Sequence, residues 1–234
     1  MSAERDPELP PIVLAFAATD PTGGTGLTAD LLALASMGCH PLSVVTALTV
    51  QDTLGLESVQ PVDAEAVADQ ARCVLEDMPV DAFKVGALGS VENVAAVAEI
   101  LSDYPDVPLV LDPVLVSARG DELAGDDMVR AIAELLVPQT TVLVVTGLEA
   151  RRLAERCTAR FACSRPVAVV PIGPALAGHA GLGTLVAATL PGWRSASLFQ
   201  LARLAAREGS GLESCIEPAL SRTGECHSSR PDPI

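Results

Sequence analysis

Short apolar runs alternate with amphipathic segments from residue 11 to about residue 156. Residues 11–18 form an unbroken apolar run, as expected of a strand buried on both faces. Residues 27–38 place leucines on one helical stripe and end at a glycine. This alternation predicts βαβ units, and therefore a mostly parallel sheet with right-handed crossovers.

The same alternation sets the expected domain organisation. The further predicted elements are strand 42–50, helix 63–78, strand 81–86, helix 91–103, strand 107–112, helix 126–136 and strand 140–145. Residues 1–10 are polar and are predicted to be disordered. After residue 156 the periodicity is lost, and one helix is predicted, over residues 195–207. We therefore expect an α/β core over residues 11–156 and a divergent or disrupted part over residues 157–234.

Composition narrows the fold class and the partners. Aromatic residues are 3% of the 234 residues, which suits layered α/β packing better than an aromatic-rich β-sandwich. The net charge of −15 argues against nucleic acid or an anionic membrane surface as partner. No apolar stretch reaches the ~20 residues of a membrane span, and the N-terminus lacks the pattern of a secretion signal. These observations predict a cytoplasmic protein.

The six cysteines include no Cys-x-x-Cys pair. Reduced thiols are therefore expected, in preference to a disulfide framework or a zinc site. We interpret the pair Cys39-His40 as a helix end, since nothing near it in the sequence completes a metal site.

A glycine-rich loop, ATDPTGGTGLTADL (residues 18–31), leaves the first predicted strand and opens the first predicted helix. In parallel sheets, ligands bind outside the carboxyl ends of the strands, and glycines let backbone N–H groups approach an anion or a polar ring. The spacing matches neither the dinucleotide-binding fingerprint nor the P-loop. A tight turn with Asp30 on a solvated helix face is the alternative.

Four motifs occur in order over residues 19–31, 44–53, 84–88 and 111–116. They resemble S/T-D-P-S-G-G-A-G-x-x-A-D-L, V-x-T-A-x-x-x-Q-[ND]-T, K-x-G-M-L and L-D-P-V-M-V of the hydroxymethylpyrimidine/phosphomethylpyrimidine kinases of thiamine biosynthesis, in the ribokinase-like superfamily. The resemblance covers residues 11–156. It implies a three-layer α/β/α sandwich with a mostly parallel central sheet, whose C-terminal part is incomplete here.

The resemblance also implies an activity and a substrate pocket. The activity is ATP- and Mg²⁺-dependent phosphorylation of 4-amino-5-hydroxymethyl-2-methylpyrimidine and of its monophosphate, in a homodimer. Gln51 matches the glutamine that pairs with the aminopyrimidine ring, and an amide offers a donor and an acceptor side by side. The other residues implied for the pocket are Asp30, Gly23, Gly24, Gly26, Ala87, Val114 and Val116. From the residues alone, two alternative interpretations remain open: Gln51 could be an ordinary turn residue, and Lys84 could lie at a solvated strand end.

For the nucleotide, the resemblance assigns Asp112, Arg119 and Thr184 to ATP and phosphate, and Glu149 to the metal. From the residues alone, Asp112 could instead shape the bend with Pro113. The chain departs from the family pattern at two positions expected to serve the metal and the catalysis. Thr146 replaces an asparagine, and Gly183 stands where a cysteine or aspartate serves as the catalytic base, so the catalytic residue is left unassigned.

These departures leave alternatives open. A pseudoenzyme could retain pyrimidine binding without turnover, and a pyridoxal or sugar kinase of the same fold is a third interpretation. We hypothesise that the C-terminal third is partly frame-shifted.

Overall fold

The computed structural model of the protein describes residues 10–116, 122–156 and 168–172. Its strands are β1 Ile12–Ala18, β2 His40–Gln51, β3 Leu56–Pro61, β4 Ala82–Val85, β5 Leu109–Leu111, β6 Val142–Thr146 and β7 Ala168–Ile172. Its α-helices are α1 Gly26–Ser36, α2 Ala64–Asp77, α3 Val91–Ser102, α4 Asp126–Ala131 and α5 Gly147–Arg156. A π-helical turn, Ile132–Leu136, and a 3₁₀ turn, Val137–Gln139, follow α4.

The described strands form one seven-stranded sheet in the order β3-β2-β1-β4-β5-β6-β7. Every neighbouring pair is parallel except β2 and β3, which form an antiparallel edge hairpin. The chain first moves outward from β1 through β2 to β3, and then returns to β4 on the other side of β1. The strand order therefore reverses between β1 and β4, the position at which doubly wound sheets bind ligands.

Strand β1 separates two apolar layers because its side chains alternate between the faces of the sheet. Leu14 and Phe16 pack in the cluster formed with α2, α3 and α4. Ala15 and Ala17 pack with Leu27 of α1 on the opposite face. The predicted α/β/α sandwich with a mostly parallel sheet is confirmed.

Several details differ from the sequence analysis. Strand β3 is unpredicted because its exposed residues lack an apolar alternation, and β7 adds a strand beyond residue 156. The predicted helix 126–136 is α-helical only to Ala131. Cys39-His40 is not a helix end: α1 ends at Ser36, Gly38 turns the chain with a φ of 79°, and His40 begins β2.

Within the described residues, no helix is long and apolar enough to cross a membrane.

Candidate functional site

One buried carboxylate organises the loop between β1 and α1. Asp20 is 4% exposed and accepts the backbone N–H and the hydroxyl of both Thr22 and Thr25, each at 2.8 Å. Burial alone would raise its pKa, but these hydrogen bonds and one from Gln51 lower the pKa to about 2. The hydrogen bonds of Asp20 with Thr22 and Thr25 therefore hold the loop in its conformation.

We expect the contribution of the Asp20 carboxylate to the free energy of unfolding to decrease at acid pH. The pKa of Asp20 is about 2 in the folded protein and 3.8 ordinarily. The stabilisation by the ionised carboxylate is therefore fully present at pH values above 3.8 and is lost as the pH falls towards 2. Its full size is about 2 kcal/mol by the linkage relation. Denaturant titrations of the wild type and Asp20→Asn should give a stability difference that shrinks between about pH 5 and pH 2. A difference that stays constant over that range would contradict the assignment.

Two loop glycines have backbone conformations that other residues rarely adopt. Gly23 has a φ of 71° and Gly26 a φ of 59°. A Cβ on Gly26 would lie 2.4 Å from the carbonyl oxygen of Ala18, so only glycine lets the loop return this close to the end of β1. Gly24 has no positive φ and is exposed.

Gln51, at the end of β2, lies beside this loop. Its Nε2 donates to Oγ1 of Thr25 at 3.4 Å, and its side chain is half-buried. Gln51 and the β2–β3 turn line a shallow depression of about 420 Å³, whose other lining residues include Val50 and Leu54. The structure thus brings together the two sequence features predicted to contact the ring.

A buried ion pair joins α1 to β4. Nζ of Lys84 donates to Oδ2 of Asp30 at 2.7 Å, and both side chains are almost fully buried. Burial disfavours the ammonium, but Asp30 and Asp112 outweigh that effect and raise the pKa of Lys84. A Cβ on Gly86 would lie 2.8 Å from this Nζ, so the glycine leaves room for the ammonium. The alternative interpretations of Asp30 on a solvated helix face and of Lys84 at a solvated strand end are therefore both wrong.

Two further carboxylates follow the next two strands, Asp112 directly after β5 and Glu149 in the first turn of α5 after β6. Burial raises the pKa of Asp112 to about 6, with Lys84 opposing the rise and Asp30 and Glu149 adding to it. The buried carboxylate of Glu149 accepts the N–H of Leu115 at 3.1 Å and the N–H and hydroxyl of Thr146 at 2.9 and 2.8 Å. The hydroxyl of Thr146 accepts the N–H of Glu149 at 3.3 Å, which completes a capping box at the start of α5.

The remaining predicted residues divide into described and undescribed positions. The carbonyl of Ala87 accepts the hydroxyl of Thr46 at 2.7 Å. Val114 is half-buried, and Val116 forms an isolated antiparallel bridge with Glu122. The predicted residues Arg119, Gly183 and Thr184, and the helix predicted over 195–207, lie outside the described residues.

The role of Asp20 in shaping the loop is a feature that was not predicted from the sequence. An Asp-Pro-Thr sequence after a strand is typical of an aspartate whose side chain accepts from the backbone N–H two residues on, so the turn has a local signal in the sequence. The Thr-x-x-Glu spacing of residues 146–149 likewise predicts a capping box.

Known proteins resemble this chain over most of its length. A family model described as phosphomethylpyrimidine kinase matches residues 20–165. A hydroxymethylpyrimidine/phosphomethylpyrimidine kinase of Streptomyces coelicolor is 37% identical over 179 residues, which are 74% of this chain and 65% of that protein. The chain therefore spans somewhat less than two thirds of that relative's length.

Solved structures support the fold. A phosphomethylpyrimidine kinase from Clostridium difficile superposes with a TM-score of 0.70 at 23% identity, covering 90% of this chain and 99% of that one. An ADP complex of Bacillus subtilis pyridoxal kinase superposes with a TM-score of 0.68 at 18% identity, covering 84% of this chain and 89% of that one. Since the family model matches well over half of the residues, the chain belongs to the phosphomethylpyrimidine kinase family.

Proposed function

We propose that this chain phosphorylates 4-amino-5-hydroxymethyl-2-methylpyrimidine and its monophosphate with ATP, a step of thiamine biosynthesis. The observation that carries the proposal is the contact between Gln51 and the glycine loop at the point where the strand order reverses. Family membership and the name of the Streptomyces relative support the same chemistry.

The proposed substrate pocket consists of a polar side chain that recognises the ring and of small residues that lie beside the ring. The Gln51 amide would pair with the amino group and the ring nitrogen, which need an acceptor and a donor side by side. The loop glycines would let backbone approach the ring, and Ala87, smaller than the family's methionine, would leave space beside it. Asp30 has Lys84 as its partner, so its role here is to hold α1 against β4 next to the pocket.

The nucleotide would bind along the carboxyl ends of β5 and β6. Asp30 and Asp112 interact with one buried ammonium, Lys84, and Glu149 adds further negative charge beside Asp112, so a bound cation would relieve the excess. Mg²⁺ suits such a site because it takes one or two carboxylates and completes its coordination with water and phosphate oxygens. Asp112 and Glu149 would hold it. When bound there, the ion would supply positive charge to neutralise the transferring phosphoryl group.

Substitution of Gln51 tests the pocket. Gln51→Leu should weaken pyrimidine binding by about 1–3 kcal/mol, because the donor–acceptor edge of the ring loses its partner. Calorimetry with the hydroxymethylpyrimidine measures the effect. Gln60→Leu, an exposed position on β3, makes the same side-chain change away from the loop and should leave affinity unchanged. Equal affinity of the Gln51 variant and the wild type would remove Gln51 from the site.

The activity itself is tested on purified protein by ADP formation with Mg-ATP. The hydroxymethylpyrimidine should stimulate ADP release and pyridoxal should not. Stimulation by pyridoxal alone would replace the proposed substrate by that of the pyridoxal kinases. Binding of the pyrimidine without ADP formation would point to the pseudoenzyme.

We further propose that the protein is a cytoplasmic homodimer. The edge hairpin supports the dimer, since Leu48, Val50 and Leu54 are each about half exposed or more on it. Light scattering on the purified chain measures the mass, and a monomer at micromolar concentration would overturn this part of the proposal.

A further inference from the structure

Thr25 lies between the Asp20 carboxylate and the Gln51 amide, and its hydroxyl contacts both. Its Oγ1 lies 2.8 Å from Oδ2 of Asp20 and 3.4 Å from Nε2 of Gln51. The family pattern S/T-D-P-S-G-G-A-G has alanine at this position. The hydroxyl contact is therefore a feature of this chain that the shared motif does not supply.

The direction of each hydrogen bond follows from the number of hydrogens available. An ionised carboxylate can only accept, so Asp20 requires the one hydroxyl hydrogen of Thr25. The oxygen of Thr25 is then left with lone pairs and can only accept. Gln51 must therefore turn its N–H₂ group towards Thr25. The reversed amide would place Oε1 against the hydroxyl oxygen and close to the carboxylate, with no hydrogen to bridge them.

We propose that Thr25 is a specificity-determining positioning residue, which together with the Asp20 carboxylate fixes the orientation in which the Gln51 amide faces its ligand. This inference rests on the proposed function for the identity of the ligand. With one N–H directed at Thr25, the amide presents its carbonyl and its second N–H outward. That edge complements an amino group next to an unprotonated ring nitrogen.

The same orientation discriminates against the hydrolysed ring. A 4-oxo pyrimidine presents a carbonyl where the 4-amino ring has a donor, and an N–H where that ring has an acceptor. Binding it would require the reversed amide, which the Thr25 hydroxyl disfavours. Without the hydroxyl, the amide loses one of its two partners and keeps only the Asp20 carboxylate, so the reversed amide costs less and the two rings become more nearly equivalent.

Calorimetry with the 4-amino pyrimidine and its 4-oxo analogue tests this selectivity. Thr25→Val removes the hydroxyl and keeps the branched shape, whereas Thr25→Ser keeps the hydroxyl and serves as the control. We expect the ratio of the two dissociation constants to fall on the order of tenfold in Thr25→Val, and to stay near the wild-type value in Thr25→Ser. An unchanged ratio in Thr25→Val would overturn the proposal.

A readout without ligand separates this inference from the proposed function. Nitrogen-15 relaxation of the Gln51 side-chain amide should show an ordered group in the wild type and in Thr25→Ser, and a mobile one in Thr25→Val. If the wild type binds neither ring, the proposed substrate is wrong and this measurement still decides whether Thr25 orders the amide. Equal order in the wild type and in Thr25→Val would overturn the positioning role, whatever the ligand.

Discussion

Lys84→Met is expected to lower the free energy of unfolding by about 3–5 kcal/mol, because it leaves the Asp30 carboxylate buried without its cation. Urea denaturation followed by circular dichroism measures the change. The double variant Lys84→Met/Asp30→Leu should recover most of the stability, since replacing both members of a buried pair by apolar groups removes the desolvation cost together with the attraction.

An exposed ion pair provides the control for this prediction. Arg72 and Glu99 approach to 3.3 Å, but their side chains are 50% and 72% exposed. Arg72→Met should therefore change stability by less than about 1 kcal/mol. A loss at Lys84 no larger than the loss at Arg72 would show that the Asp30 carboxylate is hydrated in solution.

Gly26→Ala is expected to cost about 2–4 kcal/mol and to weaken pyrimidine binding. The added Cβ meets the carbonyl oxygen of Ala18 at 2.4 Å in a backbone whose φ is 59°, so the loop must move away from β1. Denaturant unfolding and calorimetry with the hydroxymethylpyrimidine measure the two effects on the same protein.

Two other glycines serve as controls that separate backbone strain from the steric contact with Ala18. Gly38 also has a positive φ, 79°, but a Cβ there would meet nothing within 4 Å, so Gly38→Ala should cost only the conformational strain of about 1–2 kcal/mol. Gly55 has neither a positive φ nor a near neighbour, and its alanine variant should lie within about 0.5 kcal/mol of the wild type. Equal losses at Gly26 and Gly38 would mean that contact with Ala18 contributes nothing.

The sequence predicts most strands and helices of this protein well, because apolar periodicity can be recognised within each segment. The continuous apolar run of β1 and the leucine stripe of α1 specify a strand and a helix without knowledge of their neighbours. The placement of Gln51 beside the glycine loop follows from motif order together with the rule for carboxyl ends of parallel strands. Strand β3 escapes prediction because an exposed edge strand needs little apolar patterning.

The electrostatics of the site could not be predicted in the same way. Lys84 and Asp30 are 54 positions apart, and no spacing rule connects residues so distant. Their burial depends on Gly86, whose missing side chain opens the space for the ammonium. Asp20 is a different case, because its contacts with Thr22 and Thr25 lie within five residues and its Asp-Pro-Thr turn is a local signal.

The pairing of β1 with β4 has a consequence for the order of events during synthesis. Val13 pairs with Ala82, so the first strand receives its second neighbour only after the chain has grown through the intervening hairpin and helix. Until Lys84 has emerged from the ribosome, docking α1 on the sheet buries the Asp30 carboxylate without that cation, at a cost of several kcal/mol. Asp30 therefore opposes premature closure of this part of the core. The glycine-rich loop between β1 and α1 acquires its final support when β4 arrives.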